Sequence, residues 1–156
     1  MRILIVAVGR LKDCPEAAMT ADYLKRAAAA GKQLGFKSVD LAEVEAKPPG
    51  DARAEAGALY RATPNDARKI LLDERGAEWT SRQLAEKLAR WRDDGAASAC
   101  FWIGGADGVS QSVKDNADEK LALGRQTWPH RLVRAMISEQ IYRAVTILSG
   151  NPYHRD

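Results

Sequence analysis

The chain has only two cysteines, Cys14 and Cys100, in 156 residues. They show neither the paired spacing of a zinc site nor a disulfide framework, so the expectation is two reduced thiols, no metal and a cytoplasmic location. No apolar run approaches the ~18–20 residues that cross a bilayer, so no membrane association is expected. The opening stretch from Met1 to Gly9 is apolar but short, and Arg10 and Lys12 follow it closely. It reads as a first strand rather than a secretion signal. Repeats, linkers and low-complexity segments are missing. The Lys47-Pro48-Pro49-Gly50 break is too brief to divide domains, which leaves residues 1–156 as one domain.

Apolar residues make up 46% and charged residues 29% of the chain, ordinary values for a globular protein. A chain of this length buries roughly 70% of its unfolded surface. Residues 2–9 are nearly continuous aliphatics, the pattern of a parallel strand covered on both faces. The pattern then predicts a helix over 14–31, with Asp13 as its cap and Pro15 in its first turn. Further strands are expected at 36–44, 68–73 and 98–103, and helices at 51–62, 80–91 and 111–120. Leu84, Leu88 and Trp91 share one helix face. Residues 121–128 form a short strand or loop, and Pro129 opens a long helix to about Ser149. Strands alternating with helices imply an α/β fold: one open, mostly parallel sheet with helices on both faces.

The net charge of +3 sits at one end. From residue 125 onward there are five arginines, no lysine, two acids and both histidines, His130 and His154. Arginine suits forked contacts with phosphate and stacking on bases, although a solvated helix face has the same composition.

Three stretches carry candidate chemistry. "IGGADGVS" at 103–110 follows a strand directly, and its glycines let backbone approach a ligand. No Gly-Lys-Ser/Thr follows, which excludes a Walker loop, and Asp107 would repel a pyrophosphate. A ligand with little negative charge, or a simple tight turn, remains. "TWPHRLVRAMISEQIY" at 127–142 carries an apolar stripe of Val133, Ile137 and Ile141 that continues to Val145 and Leu148. Glu139 and Arg143 stand four apart, as a surface ion pair or as an acid orienting a guanidinium beside a substrate. "NPYHRD" at 151–156 ends the chain with groups that stack on bases, move protons and hold phosphate. A frayed tail is the alternative.

Together, "IGGADGVS", "WPHRLVRAMISEQIYRA" and "NPYHRD" resemble the RlmH family of SPOUT-class ribosomal RNA methyltransferases, in that order and over the whole chain. The resemblance implies a carboxyl-terminal trefoil knot, an S-adenosyl-L-methionine cofactor and a homodimer with the last helix in its interface. It implies methylation of N3 of a pseudouridine in 23S rRNA on the ribosome. By similarity, Leu72, Gly104, Gly105, Gly124, Arg125, Gln126, Thr127, Trp128 and Pro129 surround the cofactor. Glu139, Arg143, Tyr153 and His154 form the catalytic group, and His130, Arg134 and Arg155 meet the RNA. The proton acceptor stays open, with His154 the first choice on its ordinary pKa. Arg125 and Trp128 depart from the small or aliphatic residues usual in that family.

Overall fold

The computed structural model describes residues 1–155; Asp156, the last residue of the closing motif, lies outside the described residues. The strands are β1 (Arg2–Val8), β2 (Ser38–Val44), β3 (Ala67–Glu78), β4 (Ser98–Ile103) and β5 (Glu119–Ala122). The helices are α1 (Pro15–Gly31), α2 (Ala52–Ala62), α3 (Ser81–Asp93), α4 (Gln111–Asn116) and α5 (His130–Leu148). The strands form one sheet in the order β2-β1-β4-β3-β5, and every pairing is parallel.

Alternation along the strands divides the core. Ile3, Ile5, Phe101 and Ile70 face α1, α3 and α5, against Leu24, Leu88, Ile137 and Ile141. Leu4, Val6, Leu71 and Trp102 face the other way, against Leu59 of α2 and Val113 of α4. Period-2 side-chain direction explains how nearly continuous aliphatic strands fill both layers. In the second layer Trp102 Nε1–H donates to Thr63 Oγ1 at 2.8 Å, which satisfies the one polar atom of a fully buried indole. Burial pushes the neighbouring Cys100 thiol up to about 11.

Local chemistry sets the helix starts. Thr80 and Gln83 form a reciprocal capping box at α3, and the Asp51 carboxylate accepts from Ala54 N–H at α2. Cys14, not Asp13, occupies the cap position of α1, without a side-chain bond.

Two expectations around β5 are corrected. Helix α4 ends at Asn116 rather than 120, because Asp118 is drawn into the sheet edge: its N–H donates to Lys69 O, and its carboxylate accepts from Lys69 N–H. Residues 119–122 then pair as β5. Strand β3 does not stop at Asp73. Leu121 pairs with both Leu72 and Ala77, so Asp73–Gly76 bulge out of the ladder before pairing resumes. Gly76 makes the bulge possible, because a Cβ there would lie 2.6 Å from Lys120 C.

Gly76→Ala is therefore expected to destabilise the protein by about 1–3 kcal/mol, as overpacking against backbone does. Urea unfolding checks this; an unchanged midpoint would mean that β5 yields at no cost.

Candidate active site

A cleft of about 760 Å³ opens beyond the carboxyl ends of β3 and β4, where open α/β sheets bind ligands. Leu72 and the β3 bulge form one wall, and the loop after β4 forms another. That loop closes on itself: Gly108 N–H donates to Gly105 O at 3.2 Å, and Gly108 has φ +80°. Gly104 leaves no room for a side chain, since a Cβ would sit 2.5 Å from Val109 Cγ1. The Glu55 carboxylate of α2 lies against the loop, with Oε1 3.0 Å from where a Gly105 Cβ would stand. Burial, then the nearby Asp107, raises its pKa. Nothing in the sequence set Glu55 apart from other first-turn acids.

The third wall runs from Gly124 to His130. Of the residues expected around the cofactor, Leu72, Gly104, Gly105, Gly124, Gln126, Thr127, Trp128 and Pro129 all line the cleft. Arg125 does not. The chain turns at Gly124 (φ +93°), and the Arg125 side chain, 93% exposed, pairs with Glu78 at 3.1 Å. The wall is pinned by side chains: Thr127 Oγ1–H donates to Glu74 Oε2 at 2.7 Å, and Trp128 Nε1–H to Leu123 O at 2.9 Å. Trp128, a departure from the family pattern, thus fastens the wall it belongs to. The charged lining is Asp73, Glu74 and Asp107 against Arg75 and Lys114.

A second cluster forms around α5 and the tail. Arg143 Nε donates to Glu139 Oε1 at 3.0 Å, and Arg143 Nη1 lies 3.3 Å from His154 Nδ1. The Tyr153 hydroxyl donates to the same Glu139 oxygen at 3.0 Å. Burial and that hydrogen bond push the Tyr153 pKa well above the ordinary phenol value. Glu139, Arg143, Tyr153 and His154 are thus brought together as one constellation, and the Glu139–Arg143 pair is largely buried rather than a loose surface contact. Asn151 N–H donates to Thr146 O, and Gly150 takes φ +70°, which turns the chain so that the tail runs back against its helix.

None of Glu139, Arg143, Tyr153 and His154 lines the cleft. His130 lines the cleft, and Arg143 lies thirteen residues further along α5, about 20 Å at the helical rise. A second hollow of about 490 Å³ lies between them, lined by Met19, Leu132 and Met136 with Tyr23 and Glu139, and it reaches Gly124.

The RNA-facing expectations divide. Arg155 is exposed and His130 sits at the cleft mouth. Arg134 is corrected: it is fully buried, with Nη1 donating to Glu43 Oε1 and Nη2 to Val8 O, both at 2.7 Å. It is a strut between α5 and the ends of β1 and β2, with no face turned to RNA.

Comparison with known proteins gives the family. The family model described as "Predicted SPOUT methyltransferase" matches residues 1–154, and the chain belongs to that family. Within it, the chain is similar to curated proteins named Ribosomal RNA large subunit methyltransferase H. The Paracoccus denitrificans protein is 53% identical over 156 residues, covering all of both chains. The Phenylobacterium zucineum protein is also 53% identical over all of both chains, and that of Hyphomonas neptunium is 52% identical over 99% of each. A solved structure, a probable methylase family protein from Haemophilus influenzae Rd KW20, shares the fold with a TM-score of 0.51 at 13% identity, covering 99% of this chain and 70% of that one.

Arg134→Met should destabilise the protein by about 3 kcal/mol or more, because Val8 O and the Glu43 carboxylate lose a buried charged partner. Chemical denaturation measures the loss. An Arg134 that served RNA instead would change the salt dependence of ribosome binding and leave the unfolding midpoint in place.

Proposed function

We propose that this chain is a cytoplasmic S-adenosyl-L-methionine-dependent methyltransferase that acts as a homodimer on 23S rRNA. Its target is N3 of a pseudouridine of the position-1915 type, on the large subunit of the assembled ribosome. The observation that carries this reading is the cleft itself. Its walls are glycine backbone, apolar side chains and an excess of carboxylates, which suits an uncharged nucleoside bearing a sulfonium cation and disfavours a nucleotide phosphate. Gly104 and Gly105 have Val109 and Glu55 where a Cβ would stand, so the loop packs tightly at the edge of the cleft. We further propose that the segment after β5 is threaded as a trefoil knot, an exception to ordinary chain topology; the convergence of the 72–76, 103–109 and 123–129 segments on one cleft supports it.

When bound, the cofactor supplies an electrophilic methyl group. Leu72, Gly104, Gly105 and the 124–130 wall hold and orient it. The tail cluster handles the nucleobase. Arg143 donates only, and a guanidinium facing His154 Nδ1 makes that nitrogen the acceptor, so a neutral His154 carries its hydrogen on Nε2. Tyr153, kept as a neutral phenol, gives its one hydrogen to Glu139 and sets its ring beside the guanidinium. Two donors so placed, the Arg143 guanidinium and His154 Nε2–H, favour the imide anion that forms when N3 loses its proton, with its charge spread onto the flanking carbonyl oxygens. On this geometry His154 acts first as a donor, and the proton leaves to solvent. Because no residue of the tail cluster lines its own cleft, the site is completed by the tail of a second copy. The apolar hollow beside Met19, which is half exposed, supports that arrangement as a surface for the partner to cover.

Calorimetry with S-adenosyl-L-methionine and mass mapping of ribosomal RNA test the reading. His154→Ala should lower methyl transfer at least 100-fold while leaving cofactor affinity within about threefold, in the range of lost acid–base or donor groups. Loss of cofactor binding in that variant would misplace the tail. A retained methyl on the expected pseudouridine in a deletion strain would remove this substrate.

The pH response has a definite sign. Burial, then Arg134 and Arg131, hold the His130 imidazole below its ordinary value. Its contribution to stability is in full above the unfolded value of ~6.5 and is lost as pH falls through the lowered folded value. Protonation also sets a cation beside the sulfonium site. Cofactor affinity should therefore drop between pH 7.5 and 5 in the native chain and drop less in His130→Gln, as measured by calorimetry at matched ionic strength.

A further inference from the structure

Resting on the proposed function, we infer that Tyr23 and Arg26 of α1 are positioning residues for the catalytic tail, acting through a ladder of stacked rings and cations. The Arg26 guanidinium lies over two rings at once, 4.7 Å from the Tyr23 centroid and 4.5 Å from that of Tyr142. The two rings are 6.1 Å apart. Tyr142 in turn packs on Tyr153 with centroids 4.7 Å apart, and the Arg143 guanidinium stands 4.8 Å from the Tyr153 ring. The series Tyr23, Arg26, Tyr142, Tyr153, Arg143 therefore runs unbroken from α1 to the tail.

Arg26 is held by ring faces more than by hydrogen bonds. Its Nη2 pairs with Asp22 at 3.0 Å, while its buried Nε has no hydrogen-bond partner among the described residues. A cation so placed favours the electron-rich ring faces of Tyr23 and Tyr142 and fixes the second of them. Tyr142 then offers a fixed surface on which Tyr153 stacks. Without that surface, the Tyr153 ring loses its packing partner and the tail leans on polar contacts such as the Tyr153–Glu139 and Arg143–His154 hydrogen bonds. Neither Tyr23 nor Arg26 lines the cleft, so their effect falls on the tail and not on the cofactor.

Full-length Arg26→Leu, Tyr23→Ala and Tyr23→Phe are compared with the native chain in three assays. These are cofactor binding by calorimetry, steady-state methylation of ribosomes, and the rate at which carboxypeptidase trims the tail. Arg26→Leu and Tyr23→Ala should lower kcat at least tenfold, leave cofactor affinity within twofold and speed trimming severalfold. Tyr23→Phe keeps the ring beneath Arg26 and should stay within threefold of native kcat, which also serves if the larger changes unfold the chain. Native kcat and native trimming in Arg26→Leu would overturn the inference, as would equal losses of cofactor affinity and kcat. If the native chain itself fails to methylate ribosomes, the proposed function falls, and the trimming rates alone still decide whether the ladder holds the tail.

Discussion

A single guanidinium, Arg134, sets where the last helix begins. It spans from α5 to Val8 O at the end of β1 and to Glu43 near the end of β2. Burying a cation is costly unless its donors are met; here two nitrogens bond at 2.7 Å, while Nε is unpartnered. The same Glu43 oxygen accepts from Leu11 N–H, so the loop leaving β1 is held by the same carboxylate. With its first turns fixed in this way, α5 presents Pro129 and His130 to the cleft and directs Arg143 far from it. Cleft wall and tail cluster thus depend on one anchored helix.

That dependence gives α5 the character of a ruler. Its first turn borders the glycine-walled pocket, and its middle carries the Glu139–Arg143 pair that grips the tail. In the proposed homodimer the tail of one copy would serve the cleft of the other. The apolar hollow along the side of the same helix is consistent with a partner lying there.

Much of this was legible in the sequence because the signals were local or periodic. Continuous aliphatics in β1, the Leu84–Leu88–Trp91 face and the glycines after β4 each follow from short-range rules. The tail constellation was reached only through the resemblance of three motifs, since nothing local ties His154 to Arg143. What escaped notice was non-local. The β3 bulge depends on how closely Gly76 approaches β5, and Glu55 matters only because α2 lies beneath the glycine loop. Arg134 and Arg125 were placed by resemblance, and a matching motif position does not say which side of the backbone an arginine leaves from. The buried one proved structural, and the exposed one turned from the cleft toward Glu78.

The Cys100 thiol bears on how the molecule meets oxidants. Peroxide and disulfide reagents attack the thiolate, and attack requires access to the sulfur. Cys100 is fully buried beside Thr63, with its ionisation pushed to about 11, so almost none of it is ionised at neutral pH. Sulfenylation and glutathione capping are therefore closed to this position while the domain stays folded. Rapid modification of Cys100 by an alkylating probe would report the unfolded fraction, a convenient internal gauge of integrity.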